Sequence, residues 1–407
     1  MGCGTEHGLI SIDAALQRIA TQVKPLASEA IGLQEGLNRY LAEDIYSHIN
    51  LPLFSQSAVD GYAINAASDI TADTVFHLIG EIRAGQLSDV VLNEGQAVRI
   101  FTGAKVPQST STVARQEIVK VVDSHAIQIQ TTLALDSDIR HTGEEIRQGQ
   151  CLAQQGQQLS VGAIAALNMA GVGTVQVYQY PKVAVVVSGD EVATSIAEFQ
   201  AGKIFDANAP MLAAWFRSQL QQVEIYHIAD DRQATAELFH RLKHQVDVIV
   251  TTGGVSVGDY DFIRPVALEQ DFQQIFWKIR QKPGKPMFFA KYAKSDTQDC
   301  YLLGLAGNPA AVFVGIYIYL DSLLKALQSQ ANTLHWFDAV LMQNLKADSR
   351  ERFLRMSAQT LNGQLQVQPL AKQQSHMLSN LMQANCLVRI PAYSEIQAGT
   401  LVQGIFI

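Results

Sequence analysis

Apolar positions between 181 and 327 fall into two alternating textures. Short β-branched runs at 182–187, 223–228, 246–252 and 301–305 predict strands, and amphipathic stretches at 209–221, 232–243, 262–270 and 309–327 predict the helices between them. This alternation predicts a doubly wound α/β domain. The near-continuous apolarity of 183–187 and 248–250 predicts strands covered on both faces. Elsewhere the pattern changes. Residues 11–23 and 27–41 carry helical spacing, whereas 46–146 reads as short alternating strands, around 75–82, 96–101 and 117–130, and predicts a β-rich inserted domain. An apolar helix at 160–170 is closed by Gly171 and Gly173 before a strand at 174–178. The return predicts a discontinuous domain of 27–45 plus 147–180. The tail, 331–407, alternates to its end and predicts a separate small β domain.

The chain has 407 residues, enough for two or three domains with cores that need no staples. Its 30 Lys and Arg against 38 Asp and Glu leave a net charge of −8, which argues against bulk nucleic-acid or anionic-membrane binding while leaving a local basic pocket open. Cys3, Cys151, Cys300 and Cys386 lie far apart with no C-x-x-C pair, as expected of a protein in a reducing cytoplasm. The first residues show no apolar leader or acylation pattern, which predicts an untethered start. The longest apolar stretch, within 301–324, contains Gly304, Gly307, Asn308, Pro309 and Gly315, and these are expected to break it short of a membrane span.

The strongest local signal is Thr251-Thr252-Gly253-Gly254-Val255-Ser256-Val257-Gly258-Asp259-Tyr260-Asp261, where a buried strand ends and a helix begins. Ligands of open α/β sheets bind at this carboxyl edge. Gly253, Gly254 and Gly258 allow close backbone approach, and free N–H groups with Ser256 suit a phosphate; a bare strand–helix turn is the alternative. Ser188-Gly189-Asp190-Glu191 ends the first strand and faces the same edge, and Asp230 and Asp231 end the next. With Asp261, these carboxylates suit a shared Mg²⁺ beside a phosphate, or else each caps a helix. Lys282-Pro283-Gly284-Lys285-Pro286 puts two ammonium groups on a stiff turn, suited to an oxyanion or simply to solvent. Asn308 before Pro309 is positioned to cap the long helix. Asp60 before Gly61, the Thr102-Gly103 turn and Glu145 are ordinary turn chemistry when each is taken alone.

Together these segments resemble the molybdopterin molybdenumtransferase family, MoeA and the gephyrin E domain. Ser57-Ala58-Val59-Asp60-Gly61-Tyr62-Ala63, Phe101-Thr102-Gly103-Ala104, Ser188-Gly189-Asp190-Glu191, Gly253-Gly254-Val255-Ser256-Val257-Gly258, Lys282-Pro283-Gly284-Lys285-Pro286 and Gly307-Asn308-Pro309 stand in the family's order. Arg352-Phe353-Leu354-Arg355 and Ser375-His376-Met377-Leu378 resemble its fourth domain. The resemblance implies that 7–26 joins 181–327 in a molybdopterin-binding α/β domain, that 27–45 plus 147–180 forms a linker and dimerisation domain, and that the tail is barrel-like. It further implies a cytoplasmic homodimer that inserts molybdate into adenylylated molybdopterin and releases AMP with Mg²⁺. A molybdopterin adenylyltransferase would supply the intermediate, and molybdoenzymes or cofactor carriers would take the product. Asp60, Thr102, Glu145, Glu191, Asp230 and Asp261 resemble the family's functional positions, with Glu191, Asp230 and Asp261 as metal ligands. Ser188, Gly189, Asp190, Gly253, Gly254, Ser256, Gly258, Asn308 and Pro309 line the implied substrate site. Lys282 and Lys285 resemble its oxyanion turn, to which Arg352 and Ser375 add.

Two departures stand out. Ala306 and Ala311 occupy positions where the family carries proline and a small polar residue, and Glu145 replaces a common aspartate. A lone adenylyltransferase-like domain and a non-catalytic scaffold of the gephyrin type are the competing readings. The long chain outside 181–327 speaks against the first, and the retained acids and lysines speak against the second.

Overall fold

The computed structural model describes residues 9–407 apart from 87–88, 190–191, 194–196, 198, 200–202, 220, 257, 259–260 and 331–333. The described chain forms two compact units, Ala30–Val177 and the remainder. The architecture is multidomain α/β and β.

In the larger unit a six-stranded sheet runs in the order Glu224–Ile228, Val183–Ser188, Val248–Thr252, Asp299–Leu305, Met287–Ala293, Gln273–Trp277. The first four are parallel, and Met287–Ala293 is antiparallel to both of its neighbours. Alternate residues serve opposite faces, as the strand period requires. Val183, Val185, Val187, Val248 and Val250 pack under the helices Ile12–Gln22, Asn208–Ser218 and Pro309–Gly315. Ala184, Val186 and Ile249 pack under Arg232–Gln245 and Ile263–Glu269. Both faces are therefore covered. Neither Met287–Ala293 nor the edge strand Gln273–Trp277 was expected from the sequence pattern.

The helix expected over 309–327 is present: Pro309–Gly315, the π-turn Ile316–Leu320 and Asp321–Ala326 run on without a break and, against expectation, Gly315 does not cut the apolar stretch short. Pro309 starts the helix, where its missing N–H is harmless. This 18-residue rod is long and apolar enough to cross a membrane, yet 72% of it is buried inside the fold, as befits a core helix.

The tail closes on itself. Glu351–Leu361 pairs with Gln364–Pro369 and with Cys386–Ile390, and the circuit is completed through Phe337–Leu341 and Leu401–Phe406. Closure removes the exposed edges an open sheet would leave. The two-residue strand Gln281–Lys282, from the α/β domain, adds in parallel to this barrel, with Lys282 opposite Arg352. Arg389 fastens the same junction through a bidentate pair with Asp13 and a bond to Glu351.

In Ala30–Val177 a six-stranded sheet is ordered Thr112–Arg115, Gly61–Ile64, Gln96–Ile100, Val75–Ile82, Ala126–Ile129, Val119–Asp123. A second core joins Leu33 and Leu41 to Leu159, Leu167, Val175 and Val177, beneath the helix Val161–Met169 that Ser160 caps. The helix expected over 27–41 is absent. Ser28–Gly32 is instead a strand paired with Thr174–Tyr178, followed by one 3₁₀ turn, Leu33–Glu35. Pairing with a distant strand outweighs a weak local helical spacing.

Candidate functional site

The strands Val183–Ser188 and Val248–Thr252 are neighbours at the point where the sheet's winding reverses, so their carboxyl ends flank a crevice. Gly253 and Gly254 hold φ of 89° and 62°, a left-handed region that favours glycine. Space enforces the same choice: a Cβ on Gly253 would lie 2.9 Å from the Ser188 carbonyl, and one on Gly254 2.6 Å from Ile263 Cγ1. Gly253 N–H donates to the Leu305 carbonyl at 3.1 Å, and Gly307 stacks against Gly253 Cα. Ser188, Gly253, Gly254 and Gly307 are thus brought together. Asn208, absent from the sequence reading as a site residue, donates through Nδ2 to the Gly307 carbonyl at 2.9 Å. Its Oδ1, and the hydroxyls of Thr251 and Thr252, are buried without a partner among the described residues.

The acids at this edge divide. Asp231 caps Arg232–Gln245, accepting from Ala234 N–H at 2.7 Å, and Asp230 does not. Asp261 accepts from Gly258 N–H at 2.6 Å and so closes its own loop, next to exposed Ser256. The next helix starts only at Ile263, so the expected helix dipole lies beyond the glycines. Asp190 and Glu191 lie outside the described residues. The oxygen donors of Asp230 and Asp261 are of the kind a hard divalent cation takes. Among the described residues no group of three or more His, Cys, Asp or Glu side chains forms a metal-holding cluster. Glu191 is the outstanding third member of the expected set.

The second element is a cavity of about 410 Å³ walled by both the α/β domain and the barrel, which share one compact unit. Lys282, Lys285, Arg350 and Arg352 line it against one carboxylate, Asp348. Parallel register puts Lys282 and Arg352 side by side, although they are far apart in sequence. Lys282 Nζ lies 2.8 Å from Asp348 Oδ2, and this contact holds the Asp348 carboxyl below its usual range. Arg352 Nη2 donates to the Lys346 carbonyl at 2.6 Å, while its Nε is buried without a partner among the described residues. Such a donor costs stability. Ser375 and Asn308 complete the wall. Asn308 sits at the helix N-cap position, but its side chain makes no capping bond, contrary to expectation. Arg355, 2% exposed, organises the Ser375 loop by donating to the carbonyls of Lys372, Gln374 and Met377. Ala311 is buried against the turn, its Cβ 3.6 Å from where a Cβ on Gly284 would lie. Asp348 and Arg350 carried no sequence signal beyond the proximity of Arg350 to Arg352.

The third element lies in Ala30–Val177. Asp60 Oδ1 accepts from both the N–H and the hydroxyl of Thr102, at 2.8 and 2.7 Å. These bonds, the amide first, hold the exposed Asp60 carboxyl below its ordinary value, with Arg99 adding attraction. Gly61 has no room for a side chain, since its Cβ would fall 2.1 Å from the Ala114 carbonyl. Glu145 is exposed, and the side-chain hydrogen bonds of Asp60 go to Thr102. A larger cavity of about 550 Å³ in this unit, between Phe54, Lys105 and His141, includes none of these three. Size alone therefore does not mark the chemistry.

A doubly wound α/β domain with a glycine-lined carboxyl edge, joined to a closed barrel across a cationic pocket, defines a multidomain protein whose amides and cations suit anionic ligands. Family models described as the MoeA N-terminal region (domain I and II), the probable molybdopterin binding domain and the MoeA C-terminal region (domain IV) match residues 10–171, 184–326 and 338–407. A molybdopterin molybdenumtransferase of Haemophilus influenzae is 32% identical over 93% of this chain and 94% of that protein. One of Staphylococcus aureus is 30% identical over 95% and 92%. The crystal structure of a molybdopterin biosynthesis MoeA protein from Pyrococcus horikoshii superposes with a TM-score of 0.82 at 25% identity, covering 98% of this chain and all of that one. The chain belongs to the MoeA family of molybdopterin molybdenumtransferases.

Proposed function

We propose that the chain completes the molybdenum cofactor by inserting molybdenum from molybdate at the dithiolene of adenylylated molybdopterin, with release of AMP. The observation that carries this reading is the cationic pocket: among the described residues, four positive side chains line it against one carboxylate. A dianion such as molybdate balances that excess charge and accepts hydrogen bonds from ammonium and guanidinium donors.

Lys282, Lys285 and Arg352 hold the oxyanion, assisted by Ser375. The pterin intermediate lies along the edge made by Ser188, Gly189, Gly253, Gly254, Ser256 and Gly258, with Asp190, Asn308 and Pro309 beside it; backbone amides there oppose charge on the pyrophosphate. Asp60, kept ionised by Thr102, orients the attacking or departing group together with Glu145. Asp230 and Asp261, with Glu191, hold Mg²⁺, which supplies charge neutralisation to the phosphoanhydride when bound. No protein nucleophile is needed. We further propose a cytoplasmic homodimer in which the cleft lies between the 181–327 domain of one subunit and the β-rich insertion of the other. A molybdopterin adenylyltransferase supplies the intermediate, molybdoenzymes or carriers take the product, and neither nucleic acid nor membrane takes part. Asp60→Ala and Glu191→Ala each leave melting unchanged and abolish cofactor formation; a normal cofactor yield from either variant removes that residue from the site.

A further inference from the structure

Behind the Lys-Pro-Gly-Lys turn runs a polar chain that the anion chemistry leaves unused. Gln281 is wholly buried. Its Nε2 donates to the carbonyls of Pro283 at 3.0 Å and Gly284 at 3.4 Å, so the side chain grips the turn that separates the two lysines. Its Oε1 accepts from the Tyr319 hydroxyl at 2.5 Å. Its backbone carbonyl accepts from Arg350 Nη1 at 3.3 Å, which ties a third cation to the same residue. The fit is close: a Cβ on Gly284, whose φ is 90°, would meet Gln281 Nε2 at 2.8 Å.

Tyr319 lies in the π-turn Ile316–Leu320 of the buried helix and is itself 0% exposed. A π-turn inserts an extra residue and so re-aims the side chains that follow, relative to a regular α-helix. Burial pushes the Tyr319 hydroxyl well up from its ordinary value, so it donates as the neutral phenol. A turn held in advance spares the ordering that an incoming anion would otherwise impose.

We propose that Tyr319 and Gln281 are positioning residues that fix the spacing of Lys282, Lys285 and Arg350, and thereby set the affinity for molybdate without touching it. This rests on the reading of the pocket as the molybdate site. The test compares Tyr319→Phe, Gln281→Met and Lys285→Ala in the full chain, with melting recorded for each. Half-saturating molybdate and the saturated rate of AMP release are measured, and molybdate binding is followed by equilibrium dialysis.

One net hydrogen bond lost corresponds to about a threefold to tenfold weaker affinity. Tyr319→Phe and Gln281→Met are therefore expected to raise half-saturating molybdate by about that factor, with the saturated rate recovered by excess molybdate. A merely structural role would lower the folded fraction, and with it the saturated rate, at constant half-saturation. If Lys285→Ala weakens molybdate use while both other variants match the parent, the positioning role is overturned. If Lys285→Ala itself changes nothing, the pocket is not the molybdate site and the inference falls with that reading. Should one of the two positioning variants fail to fold, the other carries the same test.

Discussion

Replacing Arg352 by lysine separates charge from hydrogen-bond geometry in the cationic pocket. The pocket keeps its net charge in Arg352→Lys, yet it loses the guanidinium's several donors in one plane. A hydrogen bond between a charged donor and an oxyanion contributes about 1.5–3 kcal/mol. Lysine cannot supply that planar fork from the same place. The dissociation constant for molybdate should therefore rise about 10-fold to 150-fold. Stability should hold, because the substitution deletes an unsatisfied donor and forfeits one exposed bond to the Lys346 carbonyl. Equilibrium dialysis of the full chain against molybdate, with bound metal quantified and a thermal melt in parallel, gives both numbers. Equal molybdate affinity in Arg352→Lys and the parent would refute the reasoning, since the guanidinium geometry would then have no part in holding the anion.

Further outcomes follow from the same geometry. Lys285→Ala should raise half-saturating molybdate about tenfold or more while intermediate affinity, read by calorimetry, stays within about twofold. Asp348→Asn releases Lys282 and removes the one carboxylate that lines the pocket among the described residues, so molybdate should bind more tightly in a dialysis experiment. Thr102→Val deletes one of the bonds that depress the Asp60 pKa. A depressed carboxyl stays ionised to lower pH, so its partial recovery should move the acid limb of the pH–rate profile upward; an unmoved limb would mean Asp60 does not govern it. Gly61→Ala forces a methyl to within 2.1 Å of the Ala114 carbonyl and should lower stability by about 1–3 kcal/mol or more in a denaturant titration.

What could be read in advance depended on how local the cause was. The strands at 183–188 and 248–252 are legible because burial on both faces leaves unbroken β-branched runs, and their alternate residues do serve opposite cores. The family resemblance rests on motifs of consecutive residues, and the family models cover the same stretches. Ser28–Gly32 was misread as helix because its partner strand, Thr174–Tyr178, lies at the far end of an insertion. The helix after Pro309 was expected, but the length of its apolar run was underestimated, because a buried helix carries Gly315 without a break. At the site, Lys282, Lys285, Arg352 and Ser375 line one cavity together with Asn308, which the sequence reading had grouped with the glycine edge instead. Asp348, Arg350, Gln281 and Tyr319 were invisible there. Their places follow from strand register between the α/β domain and the barrel, and from a π-turn, neither of which has a compositional mark.

The most direct test of the central claim gives the purified protein adenylylated molybdopterin, Mg²⁺ and molybdate, and follows AMP release together with the molybdenum content of the pterin product. The account predicts AMP release in step with metal insertion, both dependent on molybdate and Mg²⁺. Tight binding of the intermediate with no AMP released under those conditions would contradict it.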